Sequence, residues 1–146
     1  MPTPARRPPP VSALDAALHR VGDRWSLLLV EALLERPRRF GELLEGLEGL
    51  APNILSSRLK ALEAEGVLAA RPYSRRPYRV AYALTASGAE LAGSLRLLAQ
   101  WGARRSTAEA ASLHHVTCGT PVEARWWCAT CARVVDDDEA PDLDFV

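Results

Sequence analysis

The segment that most constrains this chain runs from Asp23 to Pro37. Asp23 is a helix N-cap, no breaker interrupts Arg24 to Arg36, and Pro37 ends the run. On a helix Trp25, Leu28, Leu29, Ala32 and Leu33 make the main stripe, and Leu27, Val30 and Leu34 take up much of the remainder. A helix apolar on so many sides has little to offer solvent. It belongs at the buried centre of a domain, with other elements packed round it.

The neighbouring sequence supplies those elements. Val11, Leu14, Leu18 and Val21 share a stripe of an earlier helix that Gly22 ends. A short third helix is expected over Phe40 to Leu47. Pro52 then stands at the first helical position of a fourth helix, which stops near Glu65-Gly66. On that helix Leu55, Leu59 and Leu62 face one way, and Asn53, Ser56, Ser57 and Lys60 face the other. Arg58 lies on the flank, and Glu63 is the one acid at the edge of the polar face.

Two strand-like runs follow, Val67–Arg71 and Arg79–Leu84. Pro72 to Tyr78 is predicted to be a turn between them, with Arg75 and Arg76 at its tip. Thr85 caps an expected long helix from Ala86 to about Ala110. Leu91, Leu95 and Leu98 stripe it, widened by Leu97 and Trp101. Residues 1–10 hold five prolines and are expected to form an extended or disordered arm. The acidic end from Asp136 is expected to be a disordered tail.

The predicted fold class is mainly α with a small β-hairpin (α+β). Helix, helix, short helix, helix, strand, turn, strand is the order of a winged helix-turn-helix. Its fourth helix presents a narrow polar face suited to a major groove about 12 Å wide. Lys60 and Arg58 suit phosphates or guanine edges, and Asn53, Ser56 and Ser57 suit base edges or backbone. Arg75 and Arg76 suit the neighbouring minor groove or its phosphates. Net charge is zero, but residues 1–110 hold 16 basic against 11 acidic residues, and residues 111–146 hold two against seven. The body favours a polyanion and the end repels one.

Specific runs sharpen this reading. Val21-Gly22-Asp23-Arg24-Trp25-Ser26-Leu27-Leu28, Arg36-Pro37-Arg38-Arg39-Phe40-Gly41-Glu42-Leu43, Pro52-Asn53-Ile54-Leu55-Ser56-Ser57-Arg58-Leu59-Lys60-Ala61-Leu62-Glu63 and Leu84-Thr85-Ala86-Ser87-Gly88 resemble the HxlR-type family of winged-helix regulators. The resemblance covers residues 11–105. It implies sequence-specific binding of double-stranded DNA at an inverted-repeat operator by a homodimer. The N-terminal helix and the long helix after the wing would build the dimer, with Pro52–Glu65 as recognition helix. Two departures stand out. Ser12 occupies the place of a cysteine that many members carry before the first helix, which excludes thiol sensing there. Ala51 replaces the usual Ser or Thr, so the recognition helix starts with a weaker cap, by about 1 kcal/mol.

All three cysteines lie after residue 117. Cys128-Ala-Thr-Cys131 is a C-x2-C hook, and His115-Val-Thr-Cys118-Gly119 has the same gap with histidine first. Together they read H-x2-C-x9-C-x2-C, the two-hook arrangement of a small zinc ribbon. One structural Zn2+ per chain, held by His115, Cys118, Cys128 and Cys131, is the expectation; His114 competes for the first position at a spacing one residue too long. A redox C-x-x-C would want a βαβ setting, and a zinc deaminase would want H-x-E and P-C-x-x-C; neither pattern is present. Trp126 and Trp127 are expected to pack the ribbon.

The expected organisation is an arm over 1–10, a winged-helix DNA-binding and dimerisation domain over 11–110, a zinc-ribbon-like module over 111–135 and a tail over 136–146. No apolar run reaches the roughly 18 residues of a membrane span, and no secretory signal opens the chain, so a cytoplasmic protein without a membrane partner is expected. No nucleophile–base set, phosphate loop or carboxylate pair suggests an enzyme, and His19 reads as a surface or dimer-edge residue. Nothing in the sequence names a small-molecule effector. The rival class is a zinc-ribbon adaptor that uses its winged helix to dock protein or RNA; binding to duplex DNA separates the two.

Overall fold

The computed structural model describes residues 12–105 and 113–135. The proline-rich arm, Val11, the far end of the expected long helix and the acidic tail lie outside them. The chain divides into two compact units between Leu91 and Ala92. No helix among the described residues is long and apolar enough to cross a membrane.

The first unit begins with two capped helices. In α1 (Ala13–Val21) the Ser12 hydroxyl accepts the N–H of Asp15 at 3.0 Å. Gly22 ends the helix with its N–H on the Leu18 carbonyl, so close that a Cβ there would overlap that oxygen. In α2 (Arg24–Glu35) one oxygen of Asp23 accepts the N–H groups of Trp25 and Ser26 at 3.0 and 3.2 Å. Such a cap contributes about 1 kcal/mol.

As expected, α2 is the centre, in contact with α3 (Phe40–Gly46), α4 (Pro52–Ala64) and β3 (Tyr78–Leu84). Its deepest face differs from the expected stripe. Ser26, Leu29, Val30 and Leu33 are buried, while Trp25, Leu28 and Ala32 are only partly covered. Periodicity could not choose among several apolar faces of one helix; the position of its neighbours does. Leu43, Leu50, Leu55, Leu59, Leu62, Val67, Leu68 and Ala83 complete this core. Each fully buried leucine contributes about 1.5–3 kcal/mol.

A three-stranded antiparallel sheet, in order β1-β3-β2, lies beside the helices. The first strand, β1 (Arg38–Arg39), was not legible in the sequence because two residues after a proline carry no pattern. It pairs with Tyr82 and Ala81, and Arg38 is fixed by donating from Nε to the Ala32 carbonyl at 2.7 Å. The hairpin is longer than predicted: β2 (Leu68–Arg75) and β3 pair from Leu68↔Leu84 to Arg75↔Tyr78. The expected turn over Pro72 to Tyr78 is thus corrected to a tip of Arg76-Pro77. Pro72 is tolerated because β2 is an edge strand and its register shifts between Pro72 and Ser74.

The expected unbroken helix from Ala86 is also corrected. It begins as α5 (Ala86–Ala89), pauses at Glu90-Leu91, and resumes as α6 (Ala92–Ala103) in the second unit. The start of α5 is tied down. Thr85 Oγ1 lies 2.6 Å from the Gly66 carbonyl oxygen and 3.1 Å from that of Val67, and it accepts the N–H of Gly88 at 3.1 Å. A Cβ on Gly88 would overlap the Val67 carbonyl oxygen, so only glycine allows this approach. Leu91 N–H then bonds the Gly88 carbonyl in a tighter i→i+3 turn that ends α5.

In the second unit α6 has no buried residue. Two short strands, β4 (Trp126–Cys128) and β5 (Arg133–Val135), form an antiparallel hairpin, preceded by an isolated bridge between His114 and Pro121. The helices and small antiparallel sheet of the first unit are the winged helix-turn-helix predicted.

Gly88→Ala is expected to destabilise the first unit by at least about 2 kcal/mol, because backbone stands where the methyl would go. Gly41→Ala in α3, with open space around it, should be neutral or stabilising by up to about 1 kcal/mol. Urea unfolding of both variants checks the contrast.

Candidate nucleic-acid interface

Helix α4 is oriented by its apolar side. Leu55, Leu59 and Leu62 are buried, which turns Asn53, Ser57 and Lys60 outward and leaves Ser56 and Arg58 partly exposed. The predicted polar face is therefore real. Ala51 caps the helix without a side-chain bond, and Pro52, with no N–H to satisfy, follows it. The edge acid Glu63 is engaged, accepting the Ala70 N–H at 3.3 Å. Lys60 makes no ion pair among the described residues, so the face presents a cation to whatever approaches.

Arg58 does more than the sequence suggested. Its Nε lies 3.3 Å from the Asp23 oxygen that caps α2, and about a third of each side chain is exposed. The alignment is that of an ion pair and not of a linear hydrogen bond. This contact ties α4 to the start of the central helix, and nothing in the sequence signals it because the residues lie far apart in the chain.

The hairpin adds the second charged surface. Residues 68–84 contain Arg71, Arg75, Arg76 and Arg79 and no acid. Arg76 stands at the tip, while Arg75 sits in the last strand pair, one step back from its predicted place. Tyr73 and Tyr78 are exposed on the same hairpin and line a shallow groove with Pro72, Ser74 and Arg75. The Arg39 guanidinium lies 5.7 Å from the centre of the Tyr73 ring. These tyrosines were missed, although a hairpin of arginines and aromatics without acids is visible in the sequence. By contrast, the arginines before α3 are largely spent on local pairs. Glu42 accepts the Arg39 N–H at 2.7 Å and pairs with Arg36 at 3.0 Å, which holds its carboxyl below the usual range.

The predicted metal ligands are brought together in pairs. His115 Nδ1 lies 3.3 Å from Cys118 Sγ, in a turn where the N–H groups of Cys118 and Gly119 both bond the His115 carbonyl. Hydrogen bonds from Thr120 draw the Cys118 thiol below its ordinary pKa. In the β4–β5 hairpin, the Cys131 backbone N–H lowers Cys128, and Cys131 is raised by the bond it gives in return. Each hook suits a soft metal, with sulfur and imidazole donors on neighbouring positions. Among the described residues no group of three or more ligands is gathered, so the hooks stand as two separate pairs. Trp126 and Trp127 do not pack this module as expected; they are 59 and 62% exposed, because adjacent strand residues point to opposite faces of a two-stranded hairpin and none of the described residues covers either face.

Comparison with known proteins agrees with this geometry. The model of the HxlR-like helix-turn-helix family matches residues 20–110. Rv3095 of Mycobacterium tuberculosis, named as an uncharacterized HTH-type transcriptional regulator, is 37% identical over 122 residues, covering 82% of this chain and 77% of its own. The crystal structure of PA1607, described as a candidate transcription factor, superposes with a TM-score of 0.74 at 30% identity, over 90% of this chain and 93% of that one. PA1374 from Pseudomonas aeruginosa, described likewise, gives 0.65 at 35% identity over 85 and 86%. The buried leucine side of α4, its polar outer face and the arginine hairpin are thus set in a chain that belongs to the HxlR-like helix-turn-helix family of transcriptional regulators, and is not an enzyme.

Proposed function

We propose that two copies of this chain pair about a two-fold axis and bind double-stranded DNA at an inverted repeat. Each copy lays α4 in a major groove and sets its hairpin against the adjacent backbone or minor groove, and a structural Zn2+ holds each C-terminal module. The observation that carries the DNA reading is the outward face of α4, where Asn53, Ser57 and Lys60 stand free above a buried leucine row. Bases are read by such polar side chains, while the arginines of the hairpin position the protein through phosphate.

Pairing is supported by apolar surface that stands exposed among the described residues. On α6, Leu98 and Trp101 are 52 and 51% exposed, and on α1 Leu14 and Leu18 are exposed too. A self-complementary patch on a small regulator is the usual basis of a two-fold dimer. Recognition helices so related meet successive major grooves about 34 Å apart.

In mobility-shift titrations across salt, Lys60→Ala is expected to weaken binding and flatten the log–log salt slope by about one unit; unchanged affinity and slope would remove Lys60 from the interface. Arg58→Ala should weaken binding too. Asp23→Asn keeps a capping oxygen and loses the charge opposite Arg58, so any loss of affinity in that variant, with the melting temperature retained, reports the tie between α2 and α4. Replacing Leu98 and Trp101 together by glutamate should yield a monomer in sedimentation at micromolar concentration and lower DNA affinity. A wild-type monomer under those conditions overturns the dimer.

A further inference from the structure

The two hooks of the second unit share a backbone design. His115-Val116-Thr117-Cys118 is followed by Gly119 at φ +69°, and Cys128-Ala129-Thr130-Cys131 is followed by Ala132 at φ +52°. In each, donors occupy the first and fourth positions, and the next residue turns left-handed. In the first hook the turn itself brings the donors together, with His115 Nδ1 3.3 Å from Cys118 Sγ, and the left-handed residue then sends the chain back. The first hook is closed at its base by the Val122 N–H on the Leu113 carbonyl and the His115 N–H on the Thr120 carbonyl, both at 2.8 Å. The second is closed by the β4–β5 pairs, ending at Cys128↔Arg133.

Gly119 adopts this conformation freely, but Ala132 does not. It is the only non-glycine residue with positive φ among the described residues. An L-residue avoids that region because its Cβ crowds the following carbonyl, so it stays there only where something outside the turn holds it. The unit has little apolar core to do so, since Val135 alone is buried among its described residues. Three thiols and an imidazole select Zn2+ over the hard cations Ca2+ and Mg2+, which need oxygen donors. Glu123, a nearby source of oxygen in the sequence, is paired with Arg125 at 2.6 Å.

We propose that the two hooks are half-sites that close on one Zn2+ through His115, Cys118, Cys128 and Cys131, and that this closure is what holds Ala132 left-handed. The metal joins the two turns, and so supplies the folding energy of a segment too poor in core to order itself. This rests on the zinc reading above and adds to it the joint and the strained residue.

The test uses the full chain, purified under reducing conditions without chelators. Elemental analysis should find one Zn2+ per chain in the wild type and in His114→Ala, and much less in Cys118→Ser and Cys131→Ser. Competition with a chromophoric chelator should show Ala132→Gly binding Zn2+ roughly fivefold more tightly, and Gly119→Ala more weakly by a similar factor. Chelation should shift the fluorescence of Trp126 and Trp127 and raise hydrogen exchange over residues 113–135, while α2 and α4 stay protected. Absence of zinc from the wild type overturns both the zinc reading and this inference. Zinc bound with affinity unchanged in Ala132→Gly overturns the inference and leaves the zinc reading standing. Full metal content in Cys131→Ser overturns the ligand set. Where a cysteine variant folds poorly, cobalt binding to the wild type still decides, because thiolate ligation gives intense visible absorption that histidine and oxygen ligands alone do not.

Discussion

Burial of α2 is the constraint on which the rest of the first unit depends. Leu29, Val30 and Leu33 must leave water, and α3, α4 and β3 are the surfaces against which they do so. The same packing decides which way α4 faces. With Leu55, Leu59 and Leu62 committed to the core, its remaining residues have one direction left, and they are the polar ones. The outward face of α4 is thus set by the hydrophobic side of the helix, through burial worth several kcal/mol against cap and ion-pair contributions of about 1 kcal/mol each.

Asp23 shows how economically the smaller interactions are arranged. One of its oxygens caps α2 through two N–H groups and also faces Arg58 on α4. The pair is partly solvated, so its contribution to stability is small. Thr85 plays a comparable part at the other end of the hairpin, capping α5 while bonding the backbone at Gly66 and Val67. Both joints bring together residues distant in sequence, one through an ion pair and the other through hydrogen bonds.

The second unit follows different physics. Among its described residues only Val135 is buried, and α6 presents Leu98 and Trp101 to its surroundings, as the hairpin presents Trp126 and Trp127. Apolar area of this kind is not a fold by itself. It marks surface that a partner of matching shape could cover.

Helix order, the buried leucines of α4, its polar face, the Asp23 and Thr85 caps, the family and the two hooks were all legible in the sequence, because each depends on local spacing or on one residue's own chemistry. The face of α2 that is deepest, the two-residue strand at Arg38, the extra length of the hairpin, the break at Glu90-Leu91 and the pairing of Arg58 with Asp23 were not. Each of those is settled by what packs alongside: a helix apolar on several sides has no preferred one until its neighbours arrive. Pro72 reads as a turn until an edge strand and a register shift make room for it. Gly88 reads as an ordinary helix-start glycine until the Val67 carbonyl occupies the space a side chain would need. Periodicity determines which side chains can share a face, but only tertiary packing decides which face is used, because burial is a property of two surfaces and the sequence of one element describes only its own.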